Sequence, residues 1–250
     1  MSVALYEFPL CEKVRNYLRL EQLFSQIKQA QHAQSEYEYL HVLDLLFNII
    51  DLIERLDLRT DFVRDIDIHE KKLVQWSQHP DIDQTALELA LKSLHKYSAE
   101  IKKNKKLGAS FREDRFLNNI KQRFGIPGGA TSFDLPILFC WLKTSQETKQ
   151  ADVNNWLGQI QLIDESLAML LSFLREKTTF QHVVSNGGYY QGSAEEKIEL
   201  VRIQITETDD VYPVVSGSRN RYGIKFMRFN SQTGISEAVS STVEFDLSCC

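Results

Sequence analysis

Apolar residues recur at helical spacing along roughly the first 175 residues of the chain, which predicts a mainly α-helical region. In a first helix the apolar stripe consists of Val14, Tyr17, Leu18, Phe24 and Ile27. Segment 35–56 is apolar over most of its circumference and polar along one stripe only, so we expect a central helix with one exposed seam. Further helices are predicted over 60–77 and 83–103, with Asp83 as a helix N-cap, and segment 147–175 is predicted to form one long helix or a broken pair of helices.

Two helix starts and a glycine-rich break lie close together between residues 110 and 142. Ser110 and Glu113 have the spacing of a capping box, which predicts a helix start at this point. Gly125 and the Pro127-Gly128-Gly129 turn predict the end of that helix. Ser132 is predicted to cap the next helix, whose first turn tolerates Pro136.

After residue 178 the apolar period shortens to two, which is typical of β-strands. Strands are predicted over 198–206, 222–229 and 243–247, with a further strand over 3–8 that Pro9 ends. Turns are predicted at four glycine- or polar-rich sites: Gly187-Gly188, Asp209-Asp210, Ser216-Gly217-Ser218 and Gln232-Thr233-Gly234. We therefore predict an α+β protein in which a mainly helical domain (10–178) packs with a smaller antiparallel β-sheet domain (1–9 and 179–250).

The formal net charge of −5 disfavours a general nucleic-acid-binding protein, although the charge is unevenly distributed. Segment 92–123 contains ten Lys or Arg residues and three acidic residues, a local charge of +7. Two interpretations stay open on composition alone: solvated faces of long helices, or a surface that binds nucleic acid or another anionic partner.

The N-terminus lacks the features of a signal peptide, and the most apolar run, 40–53, is interrupted by polar residues, so we expect a cytoplasmic protein that is not bound to membranes. The four cysteines are then expected to stay reduced, and their spacing contains no CxxC pair.

No motif with the geometry of a catalytic, metal or nucleotide site is found. His69-Glu70 begins like a zinc-protease helix, but Leu73 stands where the second histidine is required. The Pro127-Gly128-Gly129 turn lacks the Gly-Lys-Ser/Thr ending of a phosphate loop. We therefore predict that the protein is not an enzyme and has no cofactor.

Several sequence motifs in the same order make the chain similar to the ZapD family, the Z-ring-associated division proteins of proteobacteria. These are YEFPLCEKVRNYLRLE, FREDR, IPGG, SFDLP, YP-x-x-SG, the R-x-x-I-K-F-M strand and the closing FDLSCC. The resemblance extends from about Leu5 to Cys250. It implies a helical domain joined to a β-domain, a symmetric homodimer and no catalytic activity.

The family resemblance also implies a function and a site. ZapD proteins act at midcell, where they bind the C-terminal tail of the tubulin-like GTPase FtsZ through a positively charged pocket and bundle its protofilaments. Matched by motif, the basic positions of that pocket are Arg19, Arg55, Arg115, Arg221 and Lys225, with Arg112 and Phe139 as accessory positions. Lys225 stands where arginine can occur, and Phe139 where relatives can carry histidine, so a polar role for Phe139 is in doubt.

Overall fold

The structure, a computed structural model, describes residues 3–76, 84–104, 106–194, 196–206 and 210–250. The chain divides into two compact units, which we call the helical unit (Arg19–Leu170) and the sheet unit (Met1–Leu18 with Leu171–Cys250). The described helices are α1 (Glu12–Ala30), α2 (Glu36–Arg55), α3 (Leu58–Trp76), α4 (Gln84–Lys103), α5 (Arg115–Phe124), α6 (Pro136–Leu142) and α7 (Gln146–Arg175). The strands are β1 (Val3–Pro9), β2 (Gln181–Val184), β3 (Tyr189–Ser193), β4 (Leu200–Thr206), β5 (Val211–Ser218), β6 (Arg221–Asn230), β7 (Ile235–Ala238) and β8 (Glu244–Cys249).

Helix α2 is the central helix that the polar seam predicted. Ser35 and Glu38 form a capping box at its start: the Ser35 hydroxyl accepts from Glu38 N at 3.3 Å, and the Glu38 carboxylate accepts from Ser35 N at 3.0 Å. Most of its apolar residues are buried, whereas His41, Asp44, Asn48 and Arg55 are exposed. The helix therefore supplies the core of the helical unit and presents one polar stripe to solvent.

An aromatic cluster lies under the 110–142 segment of the helical unit. The rings of Phe116 and Trp156 stack at 5.9 Å, and Trp141 lies 5.4 Å from Phe116 and 5.5 Å from Tyr39. Aromatic rings bury large apolar areas in fixed relative orientations. The cluster thus holds α5 and α6 against α2 and α7.

The sheet unit contains two four-stranded antiparallel sheets. The first has the strand order β1-β4-β8-β2, and in the second β6 pairs with β3, β5 and β7. Apolar side chains of both sheets form one core, to which β4, β6 and β8 contribute Val201, Ile203, Ile224, Phe226 and Phe245. The α+β class, and the addition of the N-terminal strand to a C-terminal sheet, are confirmed.

Two predicted helix caps are wrong. Ser110 and Glu113 do not cap α5; Ala109–Arg112 is a 3₁₀ helix, and Asp114 is the N-cap of α5. Ser132 does not cap α6, which starts at Pro136 after Leu135. The Thr131 hydroxyl instead hydrogen-bonds the Asp134 carboxylate at 3.1 Å in the preceding turn. In each case a neighbouring polar side chain makes the local hydrogen bond instead of the predicted one.

One predicted turn is also wrong, because Ser216-Gly217-Ser218 belongs to β5 and pairs with β6. The polar residues of this stretch lie on an edge strand, where they need not mark a turn. The proposed N-cap Asp83 and the predicted turn residue Asp209 lie outside the described residues.

Within the described ranges, α7 is the one helix that is long and apolar enough to cross a membrane, judged by length and composition alone. Its most apolar 18-residue window has a mean hydropathy of 1.2. Core helices of folded proteins satisfy the same criterion. Several of its residues are core residues, among them Val153, Trp156, Ile160, Ile163 and Leu167.

Candidate functional site

The predicted basic residues fall into two sets, one in each unit. Arg19, Arg55 and Arg115 belong to the helical unit, and Arg221 and Lys225 belong to the sheet unit. All five side chains are exposed.

Arg115 is the first residue of α5 and is positioned by the residue before it. The Asp114 carboxylate accepts from the backbone N of Leu117 at 2.9 Å and from the indole Nε1 of Trp156 at 3.0 Å. One carboxylate therefore caps α5 and ties its first turn to the aromatic cluster. This fixes the point from which the Arg115 side chain extends.

The basic residues next to Arg115 are largely neutralised by acids of α2. Lys121 Nζ lies 2.7 Å from Asp51 and 3.1 Å from Glu54, and Arg112 Nε lies 3.2 Å from Glu54. The +7 charge of segment 92–123 is thus partly compensated by acidic residues outside it. Arg112, an accessory position by resemblance, is already paired.

This cluster shifts the pKa of both its acid and its base. Burial raises the pKa of Glu54, but the hydrogen bonds from Lys121 and Arg112 outweigh burial and leave this pKa below its ordinary value. Burial lowers the pKa of Lys121, and the hydrogen bonds to Asp51 and Glu54 outweigh it and raise the pKa. Both partners are therefore charged near neutral pH.

Arg55 has a different environment from the neutralised cations Lys121 and Arg112. It lies in the last turn of α2 beside a cavity of about 350 Å³ that Arg59 and Lys106 also line. The Arg59 guanidinium donates to the carbonyl of Asn104 at 2.8 Å, so this cation is held in place. Among the described residues the side chains of Arg55 and Arg115 have neither an ion pair nor a hydrogen bond.

In the sheet unit, Arg221 and Lys225 lie on the same face of β6, because residues four apart on a strand point to the same side. The residues directly beside Lys225 on the neighbouring strands are Tyr189 of β3 and Val214 of β5. A Cβ atom on Gly223, which lies between the two cations, would be 2.6 Å from the Tyr189 hydroxyl, so the tyrosine ring covers this glycine. The surface is therefore two cations with an aromatic ring between them.

Sequence reasoning missed Tyr189 and Val214 as parts of this surface. Their strands, β3 and β5, were not predicted, and cross-strand neighbours are set by register rather than by local spacing. The side chains of Arg221 and Lys225 form no ion pair in the part of the chain that the structure describes.

Phe139 lies on the exposed side of α6 with 45% of its surface accessible. The Nζ of Lys143 is 5.1 Å from the centre of its ring, a cation–π distance. The residue thus offers an aromatic face and no polar group.

The described residues contain no group of three or more His, Cys, Asp or Glu side chains that could hold a metal ion. Of the cysteines, Cys11 and Cys250 are buried and Cys140 is exposed. Burial raises the pKa of the Cys249 thiol, which keeps it protonated at neutral pH.

Comparisons with known proteins identify the family. The family model described as "ZapD: Cell division protein" matches residues 18–225. The chain is 35% identical to Cell division protein ZapD of Enterobacter sp. (strain 638), an alignment that covers 100% of this chain and 99% of the relative. It is 36% identical to the protein of the same name from Photobacterium profundum, with 100% of both chains covered. A third relative, from Cronobacter sakazakii, is 34% identical over 98% of each chain.

The match to the family model extends over most of the chain, and the alignments to these relatives extend over essentially all of it. The chain therefore belongs to the ZapD family of cell division proteins.

Proposed function

We propose that this protein is a non-enzymatic crosslinker of FtsZ filaments, which binds the C-terminal tail of FtsZ through its exposed basic residues and acts as a homodimer in the cytoplasm at midcell. The observation that carries the proposal is the contrast between paired and unpaired cations. Lys121 and Arg112 are neutralised by acids of α2, whereas Arg55 and Arg115 have no partner among the described residues.

An unpaired, exposed guanidinium is suited to an incoming carboxylate. Its five donors remain available, and no existing ion pair has to be broken before the partner binds. Arg221 and Lys225 offer the same chemistry in the sheet unit, with the exposed ring of Tyr189 beside them. Arg19 is also exposed, and the family resemblance assigns it to the same basic site.

A disordered tail loses conformational entropy when it binds, so a single site of this kind is expected to be weak. A dissociation constant near 1 μM corresponds to about −8 kcal/mol. A dimer presents two such sites, and a polymer presents many tails, so bivalency can raise the avidity by roughly 10² to 10⁴ where the geometry allows. Weak single contacts then suffice for a stable crosslink.

Charge reversal tests the two sets separately. Arg115→Glu and Arg221→Glu are each expected to abolish co-sedimentation with polymerised FtsZ while circular dichroism and dimer size stay unchanged. Lys92→Glu and Arg228→Glu are the matched controls: Lys92 is an exposed cation of α4, and Arg228 is an exposed cation on the opposite face of β6. If both Arg115→Glu and Arg221→Glu still pellet like the wild type, the proposed residues are wrong.

A further inference from the structure

The cavity beside Arg55 lies where three segments of the helical unit meet. Its lining comes from the last turn of α2, the first residues of α3 and residues 106–107, which follow α4. The buried side chains of Ile53, Leu58 and Leu107 form part of this lining. Sites for small molecules combine an apolar lining with a few polar groups and have volumes from about 300 Å³ upwards. At about 350 Å³ the cavity has the size and the lining of such a site.

Three cations line this cavity: Arg55, Arg59 and Lys106. The Arg59 guanidinium donates from Nε to the carbonyl of Asn104 at 2.8 Å and from Nη2 to the carbonyl of Lys102 at 3.3 Å. Its Nη1 has no partner among the described residues. Arg55 and Lys106 are exposed and form no ion pair within the described ranges. The cavity therefore offers several cationic donors that are still available to a ligand.

Contacts between the three segments fix the positions of these cations. The two hydrogen bonds of Arg59 join the start of α3 to the end of α4. Gly108 has a φ of 71°, and a Cβ atom on it would lie 3.0 Å from Cγ2 of Ile53. The chain thus passes close to α2 two residues after Lys106. The cations come from three separate segments, which is why no local sequence motif marks them.

The two acidic side chains that line the cavity already have partners. The Glu54 carboxylate pairs with Lys121 and Arg112, neither of which lines the cavity. The Asp57 carboxylate accepts from the backbone N of Thr60 at 3.3 Å in the first turn of α3. Helix α2 ends and α3 begins at this point, so helix dipoles of opposite sign meet there and offset each other. The charge that a ligand meets in the cavity is therefore positive.

We propose that this cavity binds a small phosphate ester, with its phosphate at Arg55, Arg59 and Lys106 and its body against the apolar lining. A phosphate monoester carries a charge of about −1.5 to −2 at neutral pH, and guanidinium groups bind its oxygens through paired donors. A lone carboxylate carries a single charge and matches three cations less well. The inference does not rest on the proposed function, since Arg59 and Lys106 are not among the residues proposed to bind the FtsZ tail.

Isothermal titration calorimetry of the full chain with three probes tests this inference: adenosine monophosphate, inorganic phosphate and adenosine. We expect adenosine monophosphate to bind most tightly, because it has both a phosphate and a body that can contact the apolar lining. Inorganic phosphate should bind about tenfold more weakly, since it makes no apolar contact. Adenosine, which lacks the charge, should show no measurable binding. Binding of adenosine monophosphate should weaken as the salt concentration rises.

Substitutions at Lys106 show whether the ligand occupies this cavity. Lys106→Glu should weaken binding of adenosine monophosphate about tenfold or more, because repulsion replaces a charge-assisted hydrogen bond. Lys106→Arg keeps the charge and should retain most of the affinity. Lys103→Glu is the matched control, since Lys103 is an exposed cation in the last turn of α4 that does not line the cavity. Circular dichroism should show that all three variants fold like the wild type.

Two results would overturn the inference. The first is a wild type that binds neither adenosine monophosphate nor phosphate at millimolar concentrations. The second is equal weakening by Lys106→Glu and Lys103→Glu, which would place the ligand elsewhere on the surface.

A parallel titration with the FtsZ tail peptide separates this inference from the proposed function. If Lys106→Glu weakens tail binding and the wild type does not bind adenosine monophosphate, the cavity belongs to the tail site, so the inference fails and the proposed function stands. If the wild type binds adenosine monophosphate through Lys106 but does not bind the tail, the proposed function fails and the inference stands.

Discussion

The carboxylate of Asp114 accepts a hydrogen bond from the indole nitrogen of Trp156 at 3.0 Å, across 42 residues of sequence. The other carboxylate oxygen caps the first turn of α5. A single acidic residue therefore connects α7 to the helix that begins with Arg115.

The two hydrogen bonds of the Asp114 carboxylate predict that its removal strongly reduces the free energy of unfolding. Asp114→Ala removes the helix cap and leaves the indole N–H of Trp156, a buried residue, without its partner, so we expect a loss of about 2 kcal/mol or more in the free energy of unfolding. Urea denaturation measures this loss. Glu113→Ala, at the exposed neighbouring residue, should change stability by less than about 0.5 kcal/mol. Equal effects of the two substitutions would contradict the role given to Asp114.

The capping error in this region shows where sequence reasoning stops. Ser110 and Glu113 have the spacing of a capping box, yet Asp114 caps the helix. Asp114 is favoured by its tertiary contact with Trp156, and the spacing of local motifs gives no information about such contacts. Helix α2, by contrast, begins and ends within one residue of its predicted bounds, because the hydrophobic pattern that predicted it is local, and the capping box that the structure shows at Ser35 and Glu38 fixes the same start.

In the candidate site too, features set by local sequence could be predicted and features set by tertiary contacts could not. The common face of Arg221 and Lys225 follows from the alternation of a strand, which is local. The position of Tyr189 beside Lys225 depends on strand pairing across 36 residues of sequence, which no local pattern gives. The neutralisation of Lys121 by Asp51 and Glu54 is likewise a tertiary contact between α2 and α5.

Alanine substitutions at two glycines of the second sheet are expected to destabilise the protein by different amounts. A methyl group on Gly192 would collide with the ring of Tyr222, which is 5% exposed and whose hydroxyl lies 3.1 Å from the sulfur of Cys249. We expect Gly192→Ala to reduce the free energy of unfolding by about 2 kcal/mol, since a buried ring cannot move aside.

Gly223→Ala is the matched substitution on the outer face. Its methyl group would meet the ring of Tyr189, which is 50% exposed and can turn towards solvent. We therefore expect a loss of less than about 1 kcal/mol in thermal or urea unfolding. A larger loss for Gly223→Ala than for Gly192→Ala would contradict this assignment of the two rings.

The Glu54 cluster predicts a specific dependence of stability on pH. Because its pKa is lower in the folded than in the unfolded protein, Glu54 stabilises the fold above its unfolded pKa, and this contribution is lost as the pH falls from about 5 through the folded pKa. The stability difference between the wild type and Glu54→Gln, measured by urea denaturation, should therefore shrink steadily below pH 5. A difference that stays constant down to pH 3 would show that the pairing with Lys121 and Arg112 does not persist in solution.

Glu7 forms ion pairs with two arginines of the sheet unit. Its carboxylate lies 2.6 Å from Arg175 and 3.0 Å from Arg202, and all three side chains are largely buried. Glu7→Gln removes the negative charge that both guanidinium groups contact, so we expect a loss of about 3 kcal/mol in the free energy of unfolding. Glu12→Gln, at the exposed pair with Arg15, should cost less than about 1 kcal/mol. A similar cost for both would mean that the Glu7 cluster is not buried in solution.

The proposed binding of this protein to the FtsZ tail is measured most directly by co-sedimentation with polymerised FtsZ that either has or lacks its C-terminal tail. We expect the protein to pellet with full-length FtsZ, to stay in the supernatant with the tail-deleted form, and to pellet less as the salt concentration rises. Equal pelleting with both forms of FtsZ would contradict binding through the tail.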